Sequence, residues 1–95
     1  MHHTKQSVTG KVHGIFMVHF RERGDCLAGL TQTFDDLNGD EGDFIQIASQ
    51  IEQAFPIRVD LADLQSRAPS NKPVHFLFLS AEIVADYTWN KLSAT

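Results

Sequence analysis

The chain has one cysteine, Cys26, in 95 residues, so no disulfide can form within it. A chain without an internal disulfide fits a reducing compartment, and we expect a cytoplasmic protein. Long hydrophobic runs are missing too, because no apolar stretch approaches the roughly 18–20 residues of a transmembrane helix. The N-terminal residues also lack the apolar stretch of a secretory signal. The composition therefore argues against a membrane protein and against a disulfide-bonded secreted domain.

Motifs for catalysis and for cofactor or metal binding are missing as well. There is no P-loop, no dinucleotide-binding glycine pattern and no nucleophile elbow. The five histidines do not follow a zinc-binding spacing. The acidic stretch DDLNGDEGD resembles a calcium loop, but a frame that starts at Asp36 places Glu41 where glycine is needed and Ile47 where glutamate is needed. We predict that the protein is not an enzyme and has no cofactor or metal site.

Basic residues are scarce in the middle of the chain. Residues 35–63 contain eight acids and one base, Arg58, whereas the rest of the chain contains four acids and seven bases. An acidic region repels nucleic-acid phosphates and attracts basic protein surfaces. We therefore expect a protein partner with a basic patch and no nucleic acid. The alternative is that these charges only solvate one side of the fold.

The apolar content suffices for one small core. The hydrophobic fraction is 42% and includes seven phenylalanines. A chain of 95 residues fits one domain, so we predict a single domain over residues 1–95. Residues 1–7 are polar and are expected to be frayed.

The first predicted helix follows an apolar stripe in the N-terminal quarter. Ser7 or Thr9 would cap this helix and Gly24 would end it. Gly10 and Gly14 each cost about 1 kcal/mol against alanine inside a helix, which keeps open a strand over residues 14–20. The stripe recurs at three- and four-residue steps and consists of Val8, Val12, Ile15, Phe16, His19 and Phe20. His19, on an apolar stripe, is expected to be a partly buried structural residue.

A second helix is predicted from about Asp40 to Phe55. Acids in its first turn favour the helix dipole, and Pro56 ends the helix. A long loop over residues 24–43 precedes it, and an alternating extended segment, IRVDL, follows it. The helix has a continuous apolar stripe at helical spacing, formed by Phe44, Ile47, Ala48, Ile51 and Phe55.

The C-terminal third contains one further helix and one ambiguous segment. Ser80 can cap the last helix, with Glu82 near its N-terminus and Tyr87 on its apolar side. The segment VHFLFL at 74–79 has strand-like content. We predict an all-α helical bundle. The alternative is an α+β protein with short strands near 14–20 and 74–79, which could form oligomers through a sheet edge.

The stretch FDDLNGDEGD at 34–43 resembles the motif F-x-D-L-G-x-D-S-L-D of acyl carrier proteins. In that family the serine carries a phosphopantetheine arm. Asn38 replaces the usual glycine, Glu41 the serine and Gly42 the leucine. The positions that match without a gap are Phe34, Asp36, Leu37, Asp40 and Asp43.

The resemblance extends over residues 27–92 and includes the exit FPIRV and the last helix. The region is also similar to small bacterial carrier-like proteins of unassigned function, which read D-G-D-D-A where carrier proteins have the serine motif. NGDEG in this chain is close to that pattern. Residues 64–79 are longer and more apolar than in ordinary carrier proteins.

The resemblance implies a small acyl-carrier-like bundle in which Glu41 occupies the phosphopantetheine position and the arm is lost. It also implies that an acidic helix face docks on a basic partner surface. An alternative is a working acyl or peptidyl carrier that uses a displaced serine, and Ser49 lies about two turns beyond Glu41. By residue-wise analogy, the partner-binding residues are Asp36, Asp40, Glu41, Asp43, Ile45, Gln46 and Glu52.

Overall fold

A computed structural model describes residues 4–22, 29–67 and 75–94. Within these residues the chain forms a small all-α bundle. Its elements are α1 (Lys5–Glu22), α2 (Glu41–Ala54), α3 (Leu61–Gln65), a short 3-10 helix (His75–Phe78) and α4 (Ala81–Ser93).

The predicted all-α class is confirmed, and the α+β alternative is wrong. Residues 14–20 lie inside α1, and the described part of the segment 74–79 contains the short 3-10 helix instead of a strand. The extended pairing found among the described residues is one isolated antiparallel bridge between Thr33 and Ser80. A strand needs a partner along its length, and α1 satisfies its backbone groups internally.

Helix α1 starts within the segment that we expected to be frayed. Thr4 caps it, because the Ser7 N–H donates to the Thr4 hydroxyl at 3.0 Å and the Thr4 N–H donates to the Ser7 hydroxyl at 3.1 Å. The cap is therefore Thr4 and not Ser7 or Thr9, while the predicted end at Gly24 lies outside the described residues. A methyl group at Gly10 or Gly14 would meet nothing within 4 Å, so both glycines lie on the open side of the helix.

The core lies between α1, α2 and α4 and is rich in phenylalanine. The ring of Phe34 occupies its centre, with ring centroids at 5.3 Å from Phe16, 5.8 Å from Phe44 and 6.1 Å from Phe76. Edge-to-face and tilted ring pairs of this kind add to the stabilisation from apolar burial. The completely buried stripe that α1 turns toward this core consists of Val8, Val12, Phe16 and Phe20.

The loop before α2 is tied to the chain before α4. The Phe34 N–H donates to the Leu79 carbonyl at 3.1 Å, and the Asp35 N–H donates to the Leu77 carbonyl at 2.9 Å. The Glu82 N–H donates to the Leu30 carbonyl at 3.0 Å. These bonds fix the direction in which the loop enters α2.

The chain between α2 and α4 differs most from the prediction. Residues 57–60 have no regular structure, and the extended segment expected through Leu61 ends where α3 begins. Asp60 caps α3, because its carboxylate accepts from the Ala62 N–H at 3.0 Å and the Asp63 N–H at 3.2 Å. At the other end of this stretch, Ser80 caps α4 as predicted and accepts from the Ile83 N–H at 3.3 Å.

Candidate protein-binding face

A reciprocal pair of hydrogen bonds defines the start of α2. The Asp40 carboxylate accepts from the Asp43 N–H at 2.9 Å, and the Asp43 carboxylate accepts from the Asp40 N–H at 2.9 Å. This arrangement is a capping box, which satisfies two backbone donors that the first turn leaves without partners. It makes Glu41 the first residue of α2, where the side chain is exposed and the helix dipole favours its charge.

A tight turn leads the chain into that cap. Asn38 has φ 56, in the left-handed region that glycine adopts at no cost and asparagine tolerates better than most residues. Gly39 is buried, and a methyl group there would lie 2.9 Å from a ring carbon of Phe34. The turn thus presses its backbone against the aromatic core and holds the start of α2 in place.

Asp43 is buried and is not part of the exposed surface, which corrects its assignment to the partner-binding face. Its exposed fraction is 7%, and the ring Nε2 of His19 lies 2.7 Å from its Oδ1. A carboxylate can only accept, so Nε2 of His19 donates. Asp43 therefore joins α1 to the first turn of α2, and the structural role predicted for His19 is confirmed.

Three predicted residues line up on the outer side of α2. Glu41, Ile45 and Glu52 are separated by four and seven residues, a spacing that places them on one stripe of a helix. All three are exposed, and Ile45 is 47% exposed. The outer face of α2 is defined here as this stripe with its neighbours, namely Glu41, Ile45, Gln46, Ser49 and Glu52.

The charge on this face has one sign. Helix α2 contains no lysine or arginine, and its exposed charged side chains are Glu41 and Glu52. The Glu52 carboxylate also accepts from the Val59 N–H at 2.8 Å, which fixes the far end of the face to the chain that leaves α2. An incoming surface therefore meets an apolar side chain between two carboxylates.

The two remaining predicted residues precede the helix. Asp36 and Asp40 are exposed, and each also accepts a local backbone hydrogen bond. The Asp36 carboxylate accepts from the Thr33 N–H at 3.0 Å. The structure therefore exposes six of the seven predicted residues, two in or next to the turn and four along α2.

An open groove of about 720 Å³ lies where the chain leaves α2. Two acids and two bases line it, so its rim does not select ligands by the sign of their charge. One of its acids, Glu52, belongs to the outer face of α2. The extended segment predicted after α2 gave no indication of this groove, because the groove also needs Lys91 of α4. Its lining residues are Glu52, Ile57, Arg58, Val59, Asp60 and Lys91.

Among residues 4–22, 29–67 and 75–94, no three His, Cys, Asp or Glu side chains converge as metal ligands would. In the same residues, no helix is both long enough and apolar enough to span a bilayer.

Comparison with known proteins gives no relative for this chain: no family model, no curated protein and no solved structure matches it. The resemblance to acyl carrier proteins therefore stays a prediction that depends on the residues at 34–43 and on their local geometry.

Proposed function

We propose that this chain is a non-catalytic, carrier-like protein-binding module that docks the outer face of α2 on a basic surface of a partner protein. The observation that carries the proposal is the exposed position of Glu41 at the first residue of α2. Acyl carrier proteins have their modified serine at the matching place. A carboxylate cannot accept the phosphopantetheine arm through a phosphodiester, so no arm can be attached at Glu41. The exposed face around Glu41 can still contact a partner protein.

The turn before α2 supports the alignment with the carrier motif. Asn38 matches the usual glycine of that motif, and its backbone has the left-handed conformation that glycine adopts most easily. The matching aspartates Asp40 and Asp43 form the capping box that starts the helix. The retained residues of the motif thus have local structural roles, whereas the replaced serine position is exposed.

The physics of docking follows from the composition of the face. Exposed ion pairs contribute about 0.2–1 kcal/mol each, so Glu41 and Glu52 would mainly steer and orient the partner. Ile45 would add a modest apolar contact at the centre of the face. We therefore expect binding that weakens as the salt concentration rises.

The first experiment compares two charge reversals at equivalent places. Wild type, Glu41→Lys and Glu82→Lys are each cross-linked in an extract of the native host, and the captured proteins are identified by mass spectrometry. Glu82 is exposed in the first turn of α4, so its reversal perturbs a helix start in the same way as reversal at Glu41. We expect a partner that wild type and Glu82→Lys capture equally well and that Glu41→Lys captures in smaller amount.

The second step measures the affinity of that purified partner by calorimetry at low and high salt. Reversal of Glu41 should weaken binding by about threefold or more, in line with the loss of one exposed ion pair. Equal affinity for wild type and Glu41→Lys, together with no effect of salt, would show that the outer face of α2 does not bind this partner.

A further inference from the structure

A second helix face complements the outer face of α2. Val18 on α1 is 43% exposed, and together with Ile45 it makes up the exposed large hydrophobic side chains of the described residues. Lys11, Gly14, Val18 and Arg21 follow one another at three- and four-residue steps, so they lie on one side of α1. These four residues define the outer face of α1.

The charges of the two faces are opposite. Lys11 and Arg21 are exposed and positive, whereas Glu41 and Glu52 are exposed and negative. The Lys11 ammonium lies 5.5 Å from the ring centroid of Phe55, within the range of a cation–π contact, and the Lys11 side chain is exposed. Each face therefore has one exposed apolar side chain with charges of a single sign before and after it.

The spacing of these residues matches when the helices run in opposite directions. Lys11 precedes Val18 by seven residues and Glu52 follows Ile45 by seven residues, about 10.5 Å along each axis. Arg21 follows Val18 by three residues, about 4.5 Å, and Glu41 precedes Ile45 by four residues, about 6 Å. Antiparallel docking therefore places Val18 against Ile45. On one side of this apolar contact Lys11 then pairs with Glu52. On the other side Arg21 pairs with Glu41.

The same register brings two small residues together. Gly14 precedes Val18 by four residues and Ser49 follows Ile45 by four residues, so they face each other between the apolar pair and the Lys11–Glu52 pair. The space over Gly14 is open to 4 Å, and Ser49 is exposed. Interaxial distances between packed helices depend on the side chains at the contact, so this pair permits a close approach.

We propose that the basic partner surface is the outer face of α1 of a second copy of this chain, docked antiparallel on the outer face of α2 in this register. This inference rests on the proposed function, because it names the partner of the same α2 face. A single pair of helices buries far less than the roughly 1,200–2,000 Å² of a standard stable interface. The copies therefore associate weakly, and their association depends on concentration and salt.

Sedimentation equilibrium on the full chain tests the contact through charge exchange. We expect wild type to self-associate as its concentration rises, and more weakly in high salt. Lys11→Glu/Arg21→Glu and Glu41→Lys/Glu52→Lys should each weaken association by about tenfold or more, because two attractive pairs become repulsive. An equimolar mixture of the two variants should associate again, since the acidic α1 face of one then meets the basic α2 face of the other.

A cross-link tests the register directly. In a Cys26→Ser background, a variant with Gly14→Cys and another with Ser49→Cys are mixed and oxidised. We expect a disulfide-linked dimer of the two variants, because only close residues can be bridged. A control mixture of Gly14→Cys with Asn90→Cys, which is exposed on α4, should yield far less of that dimer.

Two results would overturn the self-docking. One is a wild type that remains monomeric at every concentration. The other is a mixture of the charge variants that associates no better than either variant alone. If one of these results is obtained while Glu41→Lys still loses a foreign partner, the partner is not a second copy but the proposed function stands. If neither a foreign partner nor a second copy depends on Glu41, the proposed function fails as well.

Discussion

At the scale of single residues, neighbouring acids of one short segment have different roles. Glu41 is exposed at the first residue of α2, whereas Asp43, two residues later, is buried against His19. If one partner of a buried hydrogen bond is removed, the other polar group stays buried without a hydrogen bond, and this lowers the stability of the fold. Asp43 should therefore matter for stability, while Glu41 should matter for binding.

The substitution Asp43→Ala tests this division. It removes the 2.7 Å contact with His19 and the capping hydrogen bond that the Asp43 carboxylate accepts from the Asp40 N–H. The bond from the Asp43 N–H to the Asp40 carboxylate remains, because its donor is backbone. We expect the free energy of unfolding, measured by urea denaturation, to fall by about 3 kcal/mol.

The matched control for that measurement is Asp36→Ala in the preceding turn. Asp36 is exposed and accepts a local hydrogen bond, so its removal should cost about 1 kcal/mol or less. Equal destabilisation by the two substitutions would show that the pairing of Asp43 with His19 does not stabilise the bundle.

The position of Glu41 at the start of a helix could be predicted from the sequence, whereas the burial of Asp43 could not. The reason is physical. The position of Glu41 depends on local signals, namely an aspartate before an apolar stripe and a motif without gaps. The burial of Asp43 depends on His19, which lies 24 residues away in the chain. A local clue existed in the spacing D-x-x-D, which is a variant of the capping box with aspartate as the third helical residue.

At the scale of elements, the strongly periodic helices were predictable and the short ones were not. The predicted bounds of α2 agree with the structure to within one residue at each end, and the predicted cap of α4 at Ser80 is confirmed, because each helix has a cap and an apolar stripe. Helix α3 has only five residues, too few to establish a periodic pattern. The segment VHFLFL suits a buried strand or a buried turn equally well. The contacts of Phe76 with Phe34 and Phe44 favour the 3-10 helix.

The substitution Gly10→Ala tests whether the side of α1 at Gly10 is exposed to solvent. Gly10 is an exposed interior residue of this helix, with open space where a side chain would go. Alanine is a better helix former, so we expect the free energy of unfolding to rise by about 1 kcal/mol in thermal or urea denaturation.

The same substitution at Gly39 provides the contrast. A methyl group there would lie 2.9 Å from a ring carbon of Phe34, and overpacking of this kind costs about 1–3 kcal/mol. Gly39→Ala should therefore destabilise the protein. A destabilising Gly10→Ala would indicate that the open side of α1 is packed against something.

At the scale of the whole molecule, the outer faces of α1 and α2 have charges of opposite sign. The described charged side chains of α1, apart from its histidines, are the cations Lys5, Lys11 and Arg21, whereas those of α2 are acids. The net charge of −4 does not show this division. Oppositely charged faces on one chain favour ordered encounter with a partner, and the proposed self-docking uses both of them.

The measurement that tests the central claim most directly is the intact mass of the protein after co-expression with a promiscuous phosphopantetheinyl transferase. Wild type is compared with Glu41→Ser/Gly42→Leu, which introduces the serine and leucine of the acyl carrier motif at two exposed positions. We expect the variant to gain the mass of one phosphopantetheine group and wild type to remain unchanged. A mass gain in wild type would show that another serine, such as Ser49, is loaded, and would contradict a module without an arm.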